Sequence, residues 1–415
     1  MREMKPSSME WIGDIPLSWK VMPNKYLMHK KKEICPAYNG EDILSLTMKG
    51  VIVRDLDAGG KMPASFDGYQ RLEPGNLLMC LFDIDVTPRC IGLIKQAGLS
   101  SPAYSQFVLS DSANAAYYCY YYTMLDNDKT LLHLAKNLRH SLTEDQLGAI
   151  PVIVPPIDEQ QRIADFLDAK CAEIDALTAD IQAQIDTLEQ YKRSVITETV
   201  TKGLNLDAEM KDSGVFYMAP MNASWRLTKI GYICTKLSRS FVSEDTALIC
   251  SNKGKVQIRA DDLTGIMVSD DNAMQGIRAG DIAIHGMDTW HGAIALSEFD
   301  GKITRVVHVC DSTEDKRFIV YYMQHLAFQG VYKLISNGVR GNTSDFRSWD
   351  KVRDIWIAIP KTRQEQEAIC DYLDRQCNAV EEVISTKKQQ LEVLATYKKS
   401  LIFEYVTGKK EVPLS

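Results

Sequence analysis

A chain of 415 residues with 45% apolar content has room for two or more hydrophobic cores, and none of its apolar runs approaches the roughly 18 residues that a membrane span needs. The net charge of −7 argues against a plain electrostatic nucleic-acid binder, yet the acid is unevenly spread, with five basic against ten acidic residues in the stretch 155–204. The nearly neutral remainder could sort basic groups onto one face, so charge alone does not decide the partner. Ten cysteines stand singly, without Cys-x-x-Cys or a Cys/His cluster at zinc spacing, and read as buried reduced thiols. The opening Met1-Arg2-Glu3-Met4-Lys5 leads into no apolar stretch like a signal peptide, so a cytoplasmic location is expected.

Residues 1–154 hold short β-rich runs, such as Leu77–Phe82 and Cys90–Ile94, broken by Gly, Pro, Asn and Asp. A strand-like run from Ile150 to Val154 meets the brake Pro155-Pro156. From Ile157 to about Val200 there is neither Gly nor Pro, and Ile163, Leu167, Cys171, Ile174, Leu177, Ile181, Ile185, Leu188, Tyr191 and Val195 fall in steps of three and four. That is one helical stripe, ending at Lys202-Gly203. Residues 205–359 return to short strands, among them Ile282–Ile284, Val306–Val309 and Ile355–Ile359 before Pro360. A second stripe follows through Ile369, Leu373, Cys377, Val380, Val383, Leu391, Leu394, Tyr397 and Leu401, with Lys387 interrupting it, and stops at Gly408-Lys409-Lys410.

The two stripes are copies. Glu159-Gln160, Ile163, Leu167-Asp168, Cys171, Leu188, Tyr191-Lys192, Ser194, Ile196, Glu198 and Val200-Thr201 recur 206 residues later, without a gap, from Glu365-Gln366 to Val406-Thr407. The offset also joins Ser18-Trp19 to Ser224-Trp225, and a coarser likeness joins Pro74-Gly75-Asn76-Leu77 to Ala279-Gly280-Asp281-Ile282. One unit of about 200 residues is used twice. The expected architecture is α/β, with two globular domains, 1–154 and 205–359, alternating with two long helices, 155–204 and 360–415. A narrow apolar seam on so long a helix needs a partner; a pseudo-twofold relation between the copies would pair the helices antiparallel as a coiled coil. The pairing candidates are Ile163, Leu167, Ile174, Leu177, Ile181, Leu188 and Tyr191 with Ile369, Leu373, Val380, Leu391, Leu394 and Tyr397.

No catalytic constellation emerges. Gly301-Lys302-Ile303-Thr304 lacks the glycine loop of a Walker motif, and there is no dinucleotide fingerprint, no nucleophile elbow and no Asn-Pro-Pro-aromatic tetrapeptide of an amino-methyltransferase. His285 and His291 with Asp288 form either a metal or acid–base group or, the plainer reading, a polar loop around Trp290; no metal is expected. The domains do offer basic, turn-rich loops with interleaved aromatics. In the first these are Lys30, Lys31, Lys49, Arg54, Arg71, Arg89, Ser101, Tyr104 and Arg139. In the second they are Lys236, Arg239, Asn252, Lys253, Lys255, Trp290, His291, Arg340, Asn342, Thr343 and Arg347. Lysines suit phosphates, while Arg and Asn pair in bidentate fashion with base edges. Taken singly, each could equally be ordinary solvated surface. Trp19 and Trp225 read as structural.

At the junction of domain and helix, Ile150-Pro151-Val152-Ile153-Val154-Pro155-Pro156 with Glu159-Gln160-x-x-Ile163 resembles the specificity subunits of type I restriction-modification enzymes. So do the echo Ile357-Ala358-Ile359-Pro360 with Glu365-Gln366-x-x-Ile369, the opening Trp11-Ile12-Gly13-Asp14-Ile15-Pro16-Leu17-Ser18-Trp19, and the helix end Tyr191-Lys192-Arg193-Ser194-Val195-Ile196 with Val200-Thr201-Lys202-Gly203. The resemblance implies a non-catalytic subunit whose two target-recognition domains read the halves of a split DNA sequence, with the paired helices as spacer. It further implies two methyltransferase subunits carrying S-adenosylmethionine and methylating adenine N6, and two restriction subunits using ATP and Mg, with no cofactor on this chain. Diverged domains imply an asymmetric target. The second copy departs from the pattern in its single Pro360 and in a longer loop from Gly338 to Asp350. The alternative is a scaffold or interaction protein that reads no sequence.

Overall fold

The computed structural model describes residues 2–57, 63–134, 140–205, 207–260, 271–336 and 346–413. The chain folds as two compact units. One comprises Met1–Ile181 with Lys388–Ser415, the other Gln182–Lys387. Each therefore holds one globular segment and a half of each long helix, a division that the segment boundaries of the sequence do not express.

In the first unit, β1 (Lys20–Pro23) pairs antiparallel with β10 (Pro151–Val154) as a ribbon. β2 (Met28–Lys31), β6 (Leu77–Met79), β7 (Ile91–Leu93) and β9 (Ser105–Leu109) form an antiparallel sheet in the order β2-β9-β6-β7. Two further ribbons join β3 (Leu44–Thr47) to β4 (Gly50–Val53) and β5 (Gln70–Leu72) to β8 (Gly98–Ser100). The strands are shorter than the apolar runs that announced them, because Leu81 and Ile94 continue the burial past the last ladder bond. Helix α1 (Ala115–Asn127) starts where the Asn114 side chain accepts the Tyr117 N–H, an N-cap. It buries Tyr117, Tyr118, Tyr121 and Tyr122, with edge-to-face ring contacts at 5.1 and 5.3 Å. The buried Tyr117 hydroxyl donates to the Val406 carbonyl at 2.8 Å and that of Tyr118 to Ile153 at 3.0 Å.

The second unit repeats this element order. Its entry ribbon is β11 (Arg226–Lys229) with β20 (Trp356–Ile359). Its sheet, from β12 (Cys234–Lys236), β16 (Ile282–His285), β17 (Ile294–Leu296) and β19 (Val307–Ser312), runs β12-β19-β16-β17. Its accessory ribbons are β13 (Leu248–Ser251) with β14 (Lys255–Ile258) and β15 (Met274–Ile277) with β18 (Gly301–Thr304). Helix α3 (Lys316–Phe328), capped by Asp315, covers the sheet.

The long helices are α2 (Ile157–Lys202) and α4 (Arg363–Val406). In the first unit Ile163, Leu167, Cys171 and Ile174 of α2 share a core with Leu401, Ile402, Tyr405 and Val406 of α4. There the Phe166 and Tyr405 rings lie 4.4 Å apart, and Lys398 donates to both Asp175 oxygens at 2.6 and 2.8 Å. In the second unit Ile196 and Val200 of α2 share a core with Ile369, Leu373 and Cys377 of α4. Lys192 pairs with Glu381 there at 2.5 Å, and Lys387 donates to Gln184. Ile181 and Val380 are buried, and Leu188, Leu391 and Leu394 half-buried. Four stripe residues depart from expectation: Leu177, Tyr191, Val383 and Tyr397 are exposed, and buried Ile384 follows Val380 in place of Val383. The seam takes the four-residue step at each of these points. Thr178, half-buried and bonded to the Ile174 carbonyl at 2.8 Å, follows Ile174 in place of Leu177. Lys192 and Lys398, each ion-paired, stand where the tyrosines were expected. Among the described residues no helix is long and apolar enough to cross a membrane.

Candidate nucleic-acid interface

Each unit closes its domain onto a long helix with the same buried polar bracket. Gln160, fully buried near the start of α2, accepts the Asn114 N–H at 2.8 Å and donates to the Ser112 and Pro155 carbonyls at 3.0 and 2.9 Å. Gln366 accepts the Asp315 N–H at 2.9 Å and donates to Pro360 at 3.0 Å and the Glu314 carboxylate at 2.8 Å. The Trp19 indole donates to Glu159 at 2.9 Å, and that of Trp225 to Glu365 at 2.8 Å. Tyr120 donates to Asp168, and Tyr321 to Asp374, both at 2.7 Å. A buried amide with every polar atom satisfied holds one orientation only, so α1 and α3 are fixed on the helices and the loops beyond them are presented from a rigid base. Sequence reasoning read Trp19 and Trp225 as structural and Glu159-Gln160 and Glu365-Gln366 as part of the repeat, but gave none of these residues a part in fixing the domain on the helix. The available signal was a polar side chain recurring at the 206-residue offset beside an apolar seam.

The candidates divide by what already holds them. Lys49 lies at the turn between β3 and β4, where Thr47 Oγ1 accepts the Lys49 N–H at 3.1 Å and donates to the Gly50 carbonyl at 3.0 Å. Asn252 and Lys253 lie at the corresponding turn between β13 and β14, where Ser251 donates to the Lys255 carbonyl at 3.0 Å. Gly254 there has φ +69°, and a Cβ on it would sit 2.5 Å from Gln324 Nε2, so the turn requires glycine. Lys49, Lys253 and Lys236 are exposed, and their ammonium groups pair with no described side chain. His291 and Arg347 are also exposed; Arg347 follows the buried Phe346, whose carbonyl lies 2.7 Å from His308 Nε2. Arg54 and Ser101 are half-buried at strand ends, and the Tyr104 ring stacks on Phe82 at 6.2 Å. Burial pushes the Tyr104 phenol up. Trp290 is half-buried beneath the Lys333 ammonium, 5.8 Å from its ring.

A second group is ion-paired at the surface: Lys30 with Glu144, Lys31 with Glu73, Arg71 with Glu33 and Glu41, and Lys255 with Glu381. Such pairs contribute about 0–1 kcal/mol, so a phosphate can displace the carboxylate and these cations remain available. Lys255, with Lys192, Lys253, Arg317 and Glu381, lines a cleft of about 570 Å³ in the second unit.

Two candidates are held by buried carboxylates. The Arg89 side chain, 15% exposed, bonds Asp126 at 3.2 Å and Asn127 at 3.1 Å, and Asp126 is 1% exposed. Arg239 forks onto both oxygens of the buried Asp281 at 2.7 and 2.8 Å. A buried carboxylate must be compensated, and each arginine is committed to that task. Arg139, Arg340, Asn342 and Thr343 lie outside the described residues, as does most of the long loop after Gly338. His285 Nδ1 accepts the Asp288 N–H at 3.1 Å and lies 3.2 Å from the Asp288 carboxylate; burial lowers the ring's pKa against the pull of that carboxylate. His291 joins that loop through its backbone N–H to Asp288. No group of three or more His, Cys, Asp or Glu among the described residues is placed to hold a metal.

Residues 98–187, from β8 to the middle of α2, match the family model described as type I restriction modification DNA specificity domain. The whole chain is similar in fold to a chain from a structure of the complex assembly and conformational transition of the type I R-M system. The TM-score is 0.68 at 13% identity, covering 95% of this chain and 99% of that one. The HsdS subunit from Thermoanaerobacter tengcongensis is also 13% identical, with TM-score 0.46 over 95% of this chain and 98% of that one. No curated protein matches the chain in sequence.

Proposed function

We infer that the chain belongs to the specificity subunits of type I restriction-modification systems and is the component that recognises DNA sequence for such an enzyme. The observation that carries this is the DNA specificity domain at 98–187, set in a chain whose fold over nearly its whole length is that of a type I R-M component. The subunit itself is non-catalytic.

The finer reading follows from the geometry. Each globular segment reads one half of a bipartite, asymmetric target. The turns at Lys49 and at Asn252-Lys253, with Arg54, Tyr104, Lys236, His291 and Arg347, approach the duplex, and the loosely paired Lys30, Lys31, Arg71 and Lys255 take phosphates. The long helices pair antiparallel as a coiled coil under a pseudo-twofold relation and set the spacing between half-sites. Supporting this, Asp175 with Lys398 and Glu381 with Lys192 are one ion pair occurring twice at the 206-residue offset. Two methyltransferase and two restriction subunits dock on the frame and bring S-adenosylmethionine, ATP and Mg, in the cytoplasm. Exchanging residues 1–154 for those of a relative, followed by single-molecule mapping of methylated adenines, tests the reading. One half of the target changes and the other stays; a change in both halves overturns it. A four-residue insertion near Gly203 changes the spacer length and leaves the bases read unaltered.

A further inference from the structure

In each unit the chain that returns from the short helices bonds to the end of a central sheet strand. The Leu142 N–H donates to the Leu81 carbonyl at 2.8 Å in the first unit, and the Phe346 N–H to the Gly286 carbonyl at 3.1 Å in the second. Leu81 and Gly286 each stand two residues beyond Met79 and Ile284, which hold the same place in β6 and β16. A short helix follows in both. In the first unit it is Glu144–Ala149, capped by Thr143; in the second it is Trp349–Arg353, with Ser348 at the cap position. Between the shared bond and the cap the first unit has no residue, and the second has one, Arg347.

That extra residue follows a clasped backbone. The Phe346 carbonyl lies 2.7 Å from His308 Nε2; a carbonyl only accepts, so Nε2 carries the proton and donates. The Phe346 ring packs edge-on to Tyr332 at 5.4 Å, and the Tyr332 hydroxyl donates to the Met323 carbonyl of α3 at 2.9 Å. Gly286 lets the segment come this close. A Cβ on it would lie 2.8 Å from the Phe346 carbonyl oxygen, 2.9 Å from Arg347 Cα and 3.0 Å from the Val306 carbonyl oxygen, all of them backbone. His308 itself is 1% exposed on β19, opposite Ile284, and Ser105 holds that ladder position in the first unit. The sheet therefore does not require an imidazole there; the clasp does. Burial lowers the His308 pKa against the pull of the Phe346 carbonyl, which keeps the ring in the neutral form that the clasp uses. Arg347, held from behind in this way, is exposed, and no carboxylate among the described residues pairs with it. A cation meets a phosphate from many angles, whereas two parallel N–H bonds to a base edge demand one approach. A pinned backbone supplies that approach.

We propose that Arg347 reads a guanine in the half-site of the second domain through its O6 and N7 acceptors, and that His308 is the residue that positions it. This rests on the proposed function, and it separates one base reader from the cations that take phosphates. The test is methylation by the complex assembled with its cognate methyltransferase subunit, on duplexes carrying each base pair in turn at every target position, together with salt titrations of binding. Arg347→Ala and Arg347→Lys lose discrimination at one G·C pair of the second half-site, by about tenfold to a hundredfold. The first half-site stays strict and the salt slope is unaltered, since no phosphate contact is lost. His308→Leu, which keeps bulk and removes the donor, relaxes the same pair; His308→Gln, which keeps an N–H donor, restores it. Arg347 is exposed, so its variants carry the test should His308→Leu fail to fold. Equal weakening on every duplex with a slope lower by about 0.9 makes Arg347 a phosphate contact and overturns the proposal. Full discrimination in Arg347→Ala, or relaxation at an A·T pair, also overturns it, and full discrimination in a folded His308→Leu removes the positioning role. A wild-type complex that methylates no defined site overturns the sequence-reading role, and the proposal with it.

Discussion

Glu159 and Glu365 occupy equivalent places yet hold different loads, and the difference can be measured. Glu159 accepts the Trp19 indole at 2.9 Å together with a fork of two bonds from Arg2 at 2.6 and 2.9 Å, and only 12% of its side chain is exposed. Arg2 also lies over the Trp19 ring at 5.4 Å. Glu365 accepts the Trp225 indole at 2.8 Å, with no arginine on it among the described residues. In Glu159→Gln the amide oxygen keeps the indole, but the amide N–H faces the guanidinium donors and the charge-assisted fork is lost. Bonds to charged groups contribute about 1.5–3 kcal/mol, and a partner left uncompensated adds to the loss. Because Arg2 keeps some contact with water, the expected cost is about 2–3 kcal/mol. Glu365→Gln exchanges a charged for a neutral acceptor and costs about 1 kcal/mol. Two units need not unfold together, so a single melting curve is the wrong readout. Hydrogen exchange reports local opening in each ribbon separately. Amides of β1 and β10 should open more readily in Glu159→Gln, by the larger of the two shifts, and those of β11 and β20 more modestly in Glu365→Gln. Equal shifts, or a larger one in the second unit, would refute the assignment of the Arg2 fork as the dominant contribution.

Removing the ammonium at either free turn, by Lys49→Ala or Lys253→Ala, should lower the salt dependence of DNA binding by about 0.9 in log–log slope per phosphate lost. Anisotropy titrations of the assembled complex between 50 and 200 mM salt read this as about a 3.5-fold change, alike for target and random duplex; an unaltered slope removes the residue from the interface. His325 is buried, 3.1 Å from Thr197 Oγ1, and burial lowers its pKa to about 4. The unfolded chain therefore takes up the proton first, near pH 6.5. Through His325 the stability of the second unit should fall between about pH 6.5 and 4 by roughly 3 kcal/mol; buried His285 and His308 act in the same direction, so His325→Gln removes that share of the slope in urea titrations at stepped pH and leaves the rest. Gly408, at φ +71°, leaves a Cβ only 2.5 Å from Pro16 Cγ and 2.8 Å from Trp19. Gly408→Ala should cost about 2–4 kcal/mol and raise exchange in the first unit, whereas Gly280→Ala, at φ +83° but with open space around it, should cost less.

What was legible in the chain was whatever repeats with a period. The helices α2 and α4 announce themselves by steps of three and four without Gly or Pro, and the proline brakes mark where β10 and β20 end. The stripe misplaced Leu177, Val383 and the two tyrosines because a step of three and a step of four are equally good amphipathic patterns; packing chooses between them, and a hydroxyl or an ion-paired lysine fills the seam as well as leucine does. Helices α1 and α3 were not foreseen, since the run Tyr117 to Tyr122 reads equally as strand and its burial is settled by the sheet beneath it. Cation lists misled where the partner is distant in sequence. Arg89 and Asp126 stand 37 residues apart, and Arg239 and Asp281 stand 42 apart, so nothing local shows that these charges are spent on the interior.

The composition of the first unit bears on how the chain is made. Its core includes Leu401, Ile402, Tyr405 and Val406, and the buried Tyr117 hydroxyl finds its acceptor 289 residues downstream. On a ribosome, residues 182–387 are complete and can close while the first unit still waits for its last 28 residues, 388–415. The earliest part of the polypeptide is thus the last to be finished. A premature stop before residue 388 leaves an opened first core, exposing the tyrosines of α1 to chaperones and proteases.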